Sequence, residues 1–179
     1  TIPNERLLST IDRTTSLTQG FIVADDVLRQ AVQGISDLIL VPGLINLDFA
    51  DVRAIMENTG EAMMGFGSAT GEERATLAAQ TAISSPLLED IDIKGAIGVL
   101  INITASSTLG LHEINDASAI IQNEVGDKAN TIFGTVIDDS MEDELQVTVI
   151  ATGFNHPETN RVITSFGPHN KPYVTNEDE

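Results

Sequence analysis

The chain contains no cysteine among its 179 residues, which excludes disulfide frameworks and thiolate metal sites. Tryptophan is also absent, and aromatic residues make up only 4%. Basic residues are scarce: nine Lys and Arg stand against 27 Asp and Glu, leaving a formal net charge of −18. That balance argues against nonspecific binding to nucleic acid or to an anionic membrane. It also makes self-association sensitive to salt and divalent cations. No uninterrupted apolar run is long enough to span a bilayer and no signal peptide is found, so a cytoplasmic protein without direct membrane insertion is expected. An initiator methionine is missing too. Thr1-Ile2-Pro3-Asn4 reads as the end of a strand meeting a helix, as if cut from a longer protein.

What is present suffices for one compact domain with a buried core plus additional segments. The strongest pattern runs from Leu17 to Leu40. Thr14, Thr15 and Ser16 supply a start signal, and Leu17, Phe21, Ala24, Leu28, Ala31, Ile35 and Leu38 step by four and three along one face. Val23, Val27, Val32 and Ile39 widen that stripe. A helix about 36 Å long and apolar on several sides is expected to lie buried between layers. Gly20 and Gly34 each cost roughly 1 kcal/mol relative to Ala inside it, so close packing is expected there.

Pro42 and Gly43 stop the helix. The next stretch sets Asn46, Asp48 and Asp51 among Leu, Ile and Phe, just ahead of a second helical pattern of Val52, Ile55 and Met56. Carboxylates in apolar surroundings need a partner, water or a facing surface. Such a loop points to an interface that something else completes. Asp48 fits an N-cap and Asp51 the reciprocal position of a capping box, where both complement the helix dipole. The same spacing puts both carboxylates on one side of the first turn, suited to polarising one water. Spacing alone leaves both readings open. An independent metal-dependent hydrolase built on the D-x-x-D pair would lack His ligands.

The second helix is expected to continue to about Asn58, followed by a small-residue strand from Glu61 to Ser68. GFGSATG (65–71) superficially resembles a phosphate-binding loop, but no Lys follows it, and Glu72 and Glu73 would repel phosphate. Those glutamates suit the first turn of a helix to Ile83, with Leu77 and Ala78 facing inward. LLEDIDIKG then reads as a surface turn. Ala96 to Thr104 places Ile97, Val99, Ile101 and Ile103 on one face and Leu100 on the other, the pattern of a central strand. His112 lies just ahead of a helix from about Ile114 to Asn123; without a second His or Cys nearby it reads as a surface or cap residue, not a ligand. Thr131 to Ile137 and Leu145 to Thr152 are expected strands, joined as a hairpin by the acidic turn DDSMED. From Asn155 the pattern dissolves into an expected disordered tail. The element order predicts an α/β fold (α+β-like), a long helix followed by a small mixed four-stranded sheet packed with helices. Its expected parts are residues 1–40, the loop 41–51, a domain 52–154 and a tail 155–179.

PGLINLDFADVRAIM (42–56), preceded by DDVLRQAVQGISDLI and followed by GEAMMGFGSATGEERATLAAQTAISSPLLEDIDIKGA, resembles the bacterial cell-division GTPase FtsZ, a tubulin relative. The likeness runs from Thr1 to about Phe154. It implies a carboxyl-terminal half with the central connecting helix, and a family amino-terminal nucleotide-binding half that is absent here. By this resemblance Asn46, Asp48 and Asp51 reach the nucleotide of the next subunit along a filament, where the acids orient the attacking water. Phe21 and Asp25 match positions that meet the guanine base, and Asn4 one that lies near it. Gly34 matches the lining of a cleft that admits small-molecule inhibitors, with Asn102 and Thr148 on its opposite wall. The implied cofactor is GTP or GDP with Mg2+ in the intact protein, with none bound to this chain alone and no separate metal site. The implied partners are further subunits joined head to tail, the amino-terminal half, and division regulators at the loop face. The implied location is the septal ring. The tail does not resemble the family's peptide that recruits membrane tethers.

Overall fold

The computed structural model describes residues 14–85, 88 and 93–154. Asn4, the expected short helix over Glu5 to Ile11 and the expected tail from Asn155 lie outside them. Helix α1 spans Leu17–Leu40, as its periodicity predicts; Ser16 Oγ accepts from the Gln19 N–H at 3.3 Å, and the helix ends at Val41, before Pro42. Helix α2 (Phe49–Met56), strand β1 (Ala62–Thr70), helix α3 (Arg74–Ile83), strand β2 (Gly98–Ala105), helix α4 (Leu111–Val125), strand β3 (Asn130–Ile137) and strand β4 (Glu144–Thr152) follow. No described helix is long and apolar enough to cross a membrane.

The four strands form one mixed sheet in the order β1-β4-β2-β3. β4 runs antiparallel to both β1 and β2, and β2 runs parallel to β3. The expected β3–β4 hairpin is therefore incorrect, because β2 lies between them. The reason is burial: β4 is covered on both faces almost throughout, as a strand must be when it has neighbours on both sides. The DDSMED segment instead crosses the end of β2, where Asp139 Oδ1 accepts from the Ser107 N–H at 2.9 Å and Ser106 Oγ donates to the Glu142 carbonyl at 2.6 Å.

Strand alternation sorts the core into two layers. On one face α3 and α4 lay Ala75, Ala78, Ala79, Ala82, Ile114, Ala117, Ile121 and Val125 over Val99, Ile101, Ile103, Leu145, Val147 and Val149. On the other, Leu38 of α1 and Val52 and Ile55 of α2 meet Met64, Leu100, Val136 and Ile150. Three further expectations need correction. Leu77 points outward and is 46% exposed, since the alanine row of α3 already fills the short gap to the sheet. Within the expected surface turn LLEDIDIKG, Leu88 and Ile93 are buried. Helix α4 begins at Leu111, so exposed His112 sits within its first turn.

The largest correction concerns α1. Only Gly34 and Leu38 are buried on it, with Ala24, Val27, Ala31, Ile35 and Ile39 partly so. Leu17, Phe21, Ile22, Leu28, Val32 and Leu40 are exposed, Leu28 by 56%. The helix covers one sheet face and presents its second apolar side outward among the described residues.

Candidate functional site

The acidic loop lies between α1 and α2 and is tethered to edge strand β3. The Ile45 N–H donates to Thr135 Oγ1 at 2.8 Å, and the Thr135 N–H donates to the Ile45 carbonyl at 2.9 Å. Local bonds complete the shape. Asn46 Oδ1 accepts from the Gly43 N–H at 2.7 Å. Asp48 Oδ1 accepts from the Asp51 N–H at 2.9 Å, while Asp51 Oδ2 accepts from the Asp48 N–H at 3.1 Å. This is the expected reciprocal capping box, and it gives both acids a structural duty. Among the described residues, the second carboxylate oxygen of each accepts no hydrogen bond and the Asn46 amide nitrogen donates none. All three side chains are exposed, beside exposed Leu44 and Phe49. The cap therefore holds the carboxylates in fixed directions while leaving acceptor oxygens toward solvent.

Phe21 and Asp25 lie one turn apart near the other end of α1, both exposed, Phe21 by 63%. Fifteen helical steps lead from Asp25 to Leu40, about 22 Å of axial rise. The structure thus keeps the aromatic–acid pair apart from the acidic loop. Asn4 lies outside the described residues.

Gly34, Asn102 and Thr148 are brought together. Asn102 and Thr148 face each other across β2 and β4, and both are buried under α1. Asn102 Nδ2 donates to the Gly34 carbonyl at 3.0 Å, and Asn102 Oδ1 is buried with no partner among the described residues. A Cβ at Gly34 would stand 3.5 Å from Thr148 Cγ2, an ordinary contact, so the helix lies near the sheet without excluding a methyl group. Open space occurs nearer the start of α1, in a groove of about 460 Å³ that includes Ile22, Asp26, Gln30, Met64 and Phe66.

Gly65 and Gly67 serve packing. A Cβ at either would lie 2.0 or 2.3 Å from the Ala82 or Ala78 carbonyl oxygen of α3, so strand and helix backbones touch there. This accounts for the first two glycines of GFGSATG without a phosphate, and Gly71 is a bend residue with a positive φ. Among the described residues, no group of three or more His, Asp or Glu side chains is arranged to hold a metal.

A family model described as FtsZ family, C-terminal domain, matches residues 60–155. The chain belongs to the FtsZ family. An empty FtsZ dimer from M. jannaschii is similar to it at 42% identity and a TM-score of 0.78, over 85% of this chain and 44% of that one. The chain thus spans less than half the length of that FtsZ. Two more distant structures share the fold: a GTPgS-bound protofilament of CetZ2 from Haloferax volcanii, at 18% identity and TM-score 0.65, covers 88% of this chain and 46% of its own. A GTPyS-form protofilament of Bacillus thuringiensis serovar israelensis TubZ, at 13% and 0.66, covers 87% and 41%.

Within this FtsZ-family domain the structure adds two residues that sequence reasoning missed. Thr135, the seat of the loop, leaves one trace, a polar residue within the apolar run TIFGTVI. Arg74 leaves none, because its partners are distant in sequence. Only 5% exposed, it donates to Glu113 through Nε at 2.6 Å and Nη2 at 3.1 Å, to Thr108 Oγ1 at 3.2 Å and to the Asp143 carbonyl at 3.0 Å. One guanidinium thereby joins the starts of α3 and α4 to the loop before β4. The Arg74 hydrogen bonds, helped by one from the Gly110 N–H, hold the Glu113 carboxyl below the ordinary glutamate range.

Proposed function

We propose that the chain is the carboxyl-terminal half of an assembly-dependent GTPase, whose acidic loop completes the nucleotide site of the adjacent subunit in a filament. The separation along α1 carries this reading. Phe21 and Asp25 at one end suit a guanine base, an aromatic face beside a carboxylate that accepts from its N–H edge. The loop that carries the acids starts at the other end, about 22 Å along the axis, too far for both ends to serve the same nucleotide. One nucleotide would therefore sit against the first end of one subunit and the loop of the next. Exposed Leu44 and Phe49 around the loop fit a surface that docks.

Within that site the free oxygens of Asp48 and Asp51 polarise the attacking water, and the Asn46 amide helps position it near the terminal phosphate. Neither acid needs to be a strong base, since phosphoryl transfer depends mainly on positioning and electrostatics. Mg2+ would be held by the nucleotide's phosphates, whose developing charge it would neutralise. Hydrolysis then waits for assembly, because the acids come only with the neighbour. The exposed side of α1 is the surface on which the amino-terminal half of the same protein packs. The chain alone does not turn over GTP. Division regulators at the loop face, and a septal location, follow from the same reading.

The capping box also fits a second reading, a filament contact whose acids serve only the helix. Asp51→Ala in the full-length protein separates the two. Under the catalytic reading, longitudinal assembly is largely kept and phosphate release per filament contact falls sharply. Assembly lost with unchanged turnover per contact would assign the loop a structural role alone.

A further inference from the structure

We propose that Thr135 is the positioning residue of the acidic loop, setting the register in which Asp48 and Asp51 are presented to the neighbour's nucleotide. The inference rests on the catalytic reading of the loop. Thr135 is 1% exposed on β3, whose outer edge has no strand partner in the sheet. Its hydroxyl oxygen accepts from the Ile45 N–H, and its own N–H donates to the Ile45 carbonyl, so one residue satisfies both backbone groups of Ile45. Among the described residues, the loop's hydrogen bonds to the sheet are both made with Thr135.

The neighbouring glycines show how closely the pieces are seated. A Cβ on Gly43 would stand 1.7 Å from the Thr135 carbonyl oxygen and 2.6 Å from its carbon, so the loop backbone lies directly on that peptide. A Cβ on Gly134 would stand 2.7 Å from Leu38 Cδ2 and 3.2 Å from Leu47 Cγ. The last turns of α1 and the loop residue before Asp48 thus rest on the same two-residue seat. Asp48 lies three residues beyond the clamped Ile45, and the capping box makes Asp51 follow Asp48 as one unit. A shift of the clamp moves both acids together. Displacing a positioned group by about 1 Å costs on the order of a hundredfold in rate, so a modest loosening is measurable.

The hydroxyl, and not the bulk of the side chain, is the part that matters. Thr135→Val keeps the shape and removes the acceptor for Ile45; Thr135→Ser keeps the acceptor and removes a buried methyl. In the full-length protein, Thr135→Val lowers kcat for GTP by about tenfold or more, with KM and the critical concentration for assembly little changed. Thr135→Ser restores most of kcat while melting lower than wild type. Amide exchange at Ile45 quickens in the Val variant and stays slow in the Ser variant, with β2 and β4 unaffected in both. If Thr135→Val does not fold, Gly43→Ala decides, because its methyl lifts the loop from an intact Thr135 and lowers kcat in the same way. Unchanged kcat in Thr135→Val, or an equal loss in Thr135→Ser, overturns the proposal. Asp51→Ala is measured alongside: full turnover in that variant removes the catalytic reading itself, whereas lost turnover there with full turnover in Thr135→Val removes only the role of Thr135.

Discussion

Arg74 shows how one buried charge ties this domain together. It touches α4, the segment preceding α4 and the loop before β4, so its loss strips partners from three places at once. Arg74→Ala leaves the Glu113 carboxylate without its counter-charge and destabilises the domain by about 3 kcal/mol, measured by urea unfolding. The pH dependence has a definite sign. Glu113 binds its proton less readily folded than unfolded, so its contribution is present at neutral pH and is lost as the pH falls below the ordinary glutamate value near 4.5. Glu113→Gln lowers stability at pH 7 and flattens the acid limb of a stability-against-pH curve, whereas an unchanged limb would assign the acid sensitivity to other carboxylates. Gly34 behaves in the opposite way. Its added Cβ makes only ordinary contacts, so Gly34→Ala gains up to about 1 kcal/mol of helix propensity. A loss greater than that gain in thermal melts would show that α1 sits closer to the sheet than its backbone indicates.

Among the elements, α1 and α2 divide the labour in a way their apolar content does not reveal. Ile55 of the short α2 is 1% exposed and packs on the sheet, so Ile55→Ala costs about 2–5 kcal/mol. Leu28 of the long α1 faces outward, so in this chain Leu28→Ala costs less than about 1 kcal/mol. On the proposed reading, the same substitution costs more in the full-length protein, where the amino-terminal half covers that side; equal costs in both contexts would mean that nothing covers it. The sequence made α1 legible to the residue, because Ser16 and Pro42 bracket a periodic run. It did not reveal that one side of the helix is open, since periodicity reports which side chains avoid water and not which body they avoid it against. The two-faced apolar pattern of β2 likewise identified a central strand. The β3–β4 pairing was misread because an acidic turn between two strands looks the same whether it closes a hairpin or crosses a neighbour. At the loop, spacing offered the capping box without deciding its role, while Thr135, 90 positions from Ile45, left only the trace of a polar residue in an apolar strand.

At the scale of the whole molecule, and on the proposed reading, the chain offers a complete loop face for docking on a neighbour's nucleotide but only the base side, Phe21 and Asp25, of the face that receives another subunit. A piece with one of two heterologous surfaces ends a filament and cannot extend it. Added to polymerising full-length protein, it should shorten filaments well below equimolar amounts, read by light scattering, phosphate release and negative-stain lengths. Phe49→Arg weakens this effect by blocking docking, and Asp51→Ala leaves it mostly intact. Inhibition only near one chain per subunit would mean sequestration of monomers instead. The strand order has a separate consequence for how the domain is made. Among the described residues β1 pairs only with β4, and β4 is the last strand of the sheet to be translated. A nascent chain halted before Glu144 leaves β1 without a strand partner, however long it waits on the ribosome, and only β2 and β3 have paired. Protease resistance of stalled ribosome complexes should therefore rise in one step, when the segment through Thr152 clears the exit tunnel, and the whole sheet closes around its final strand.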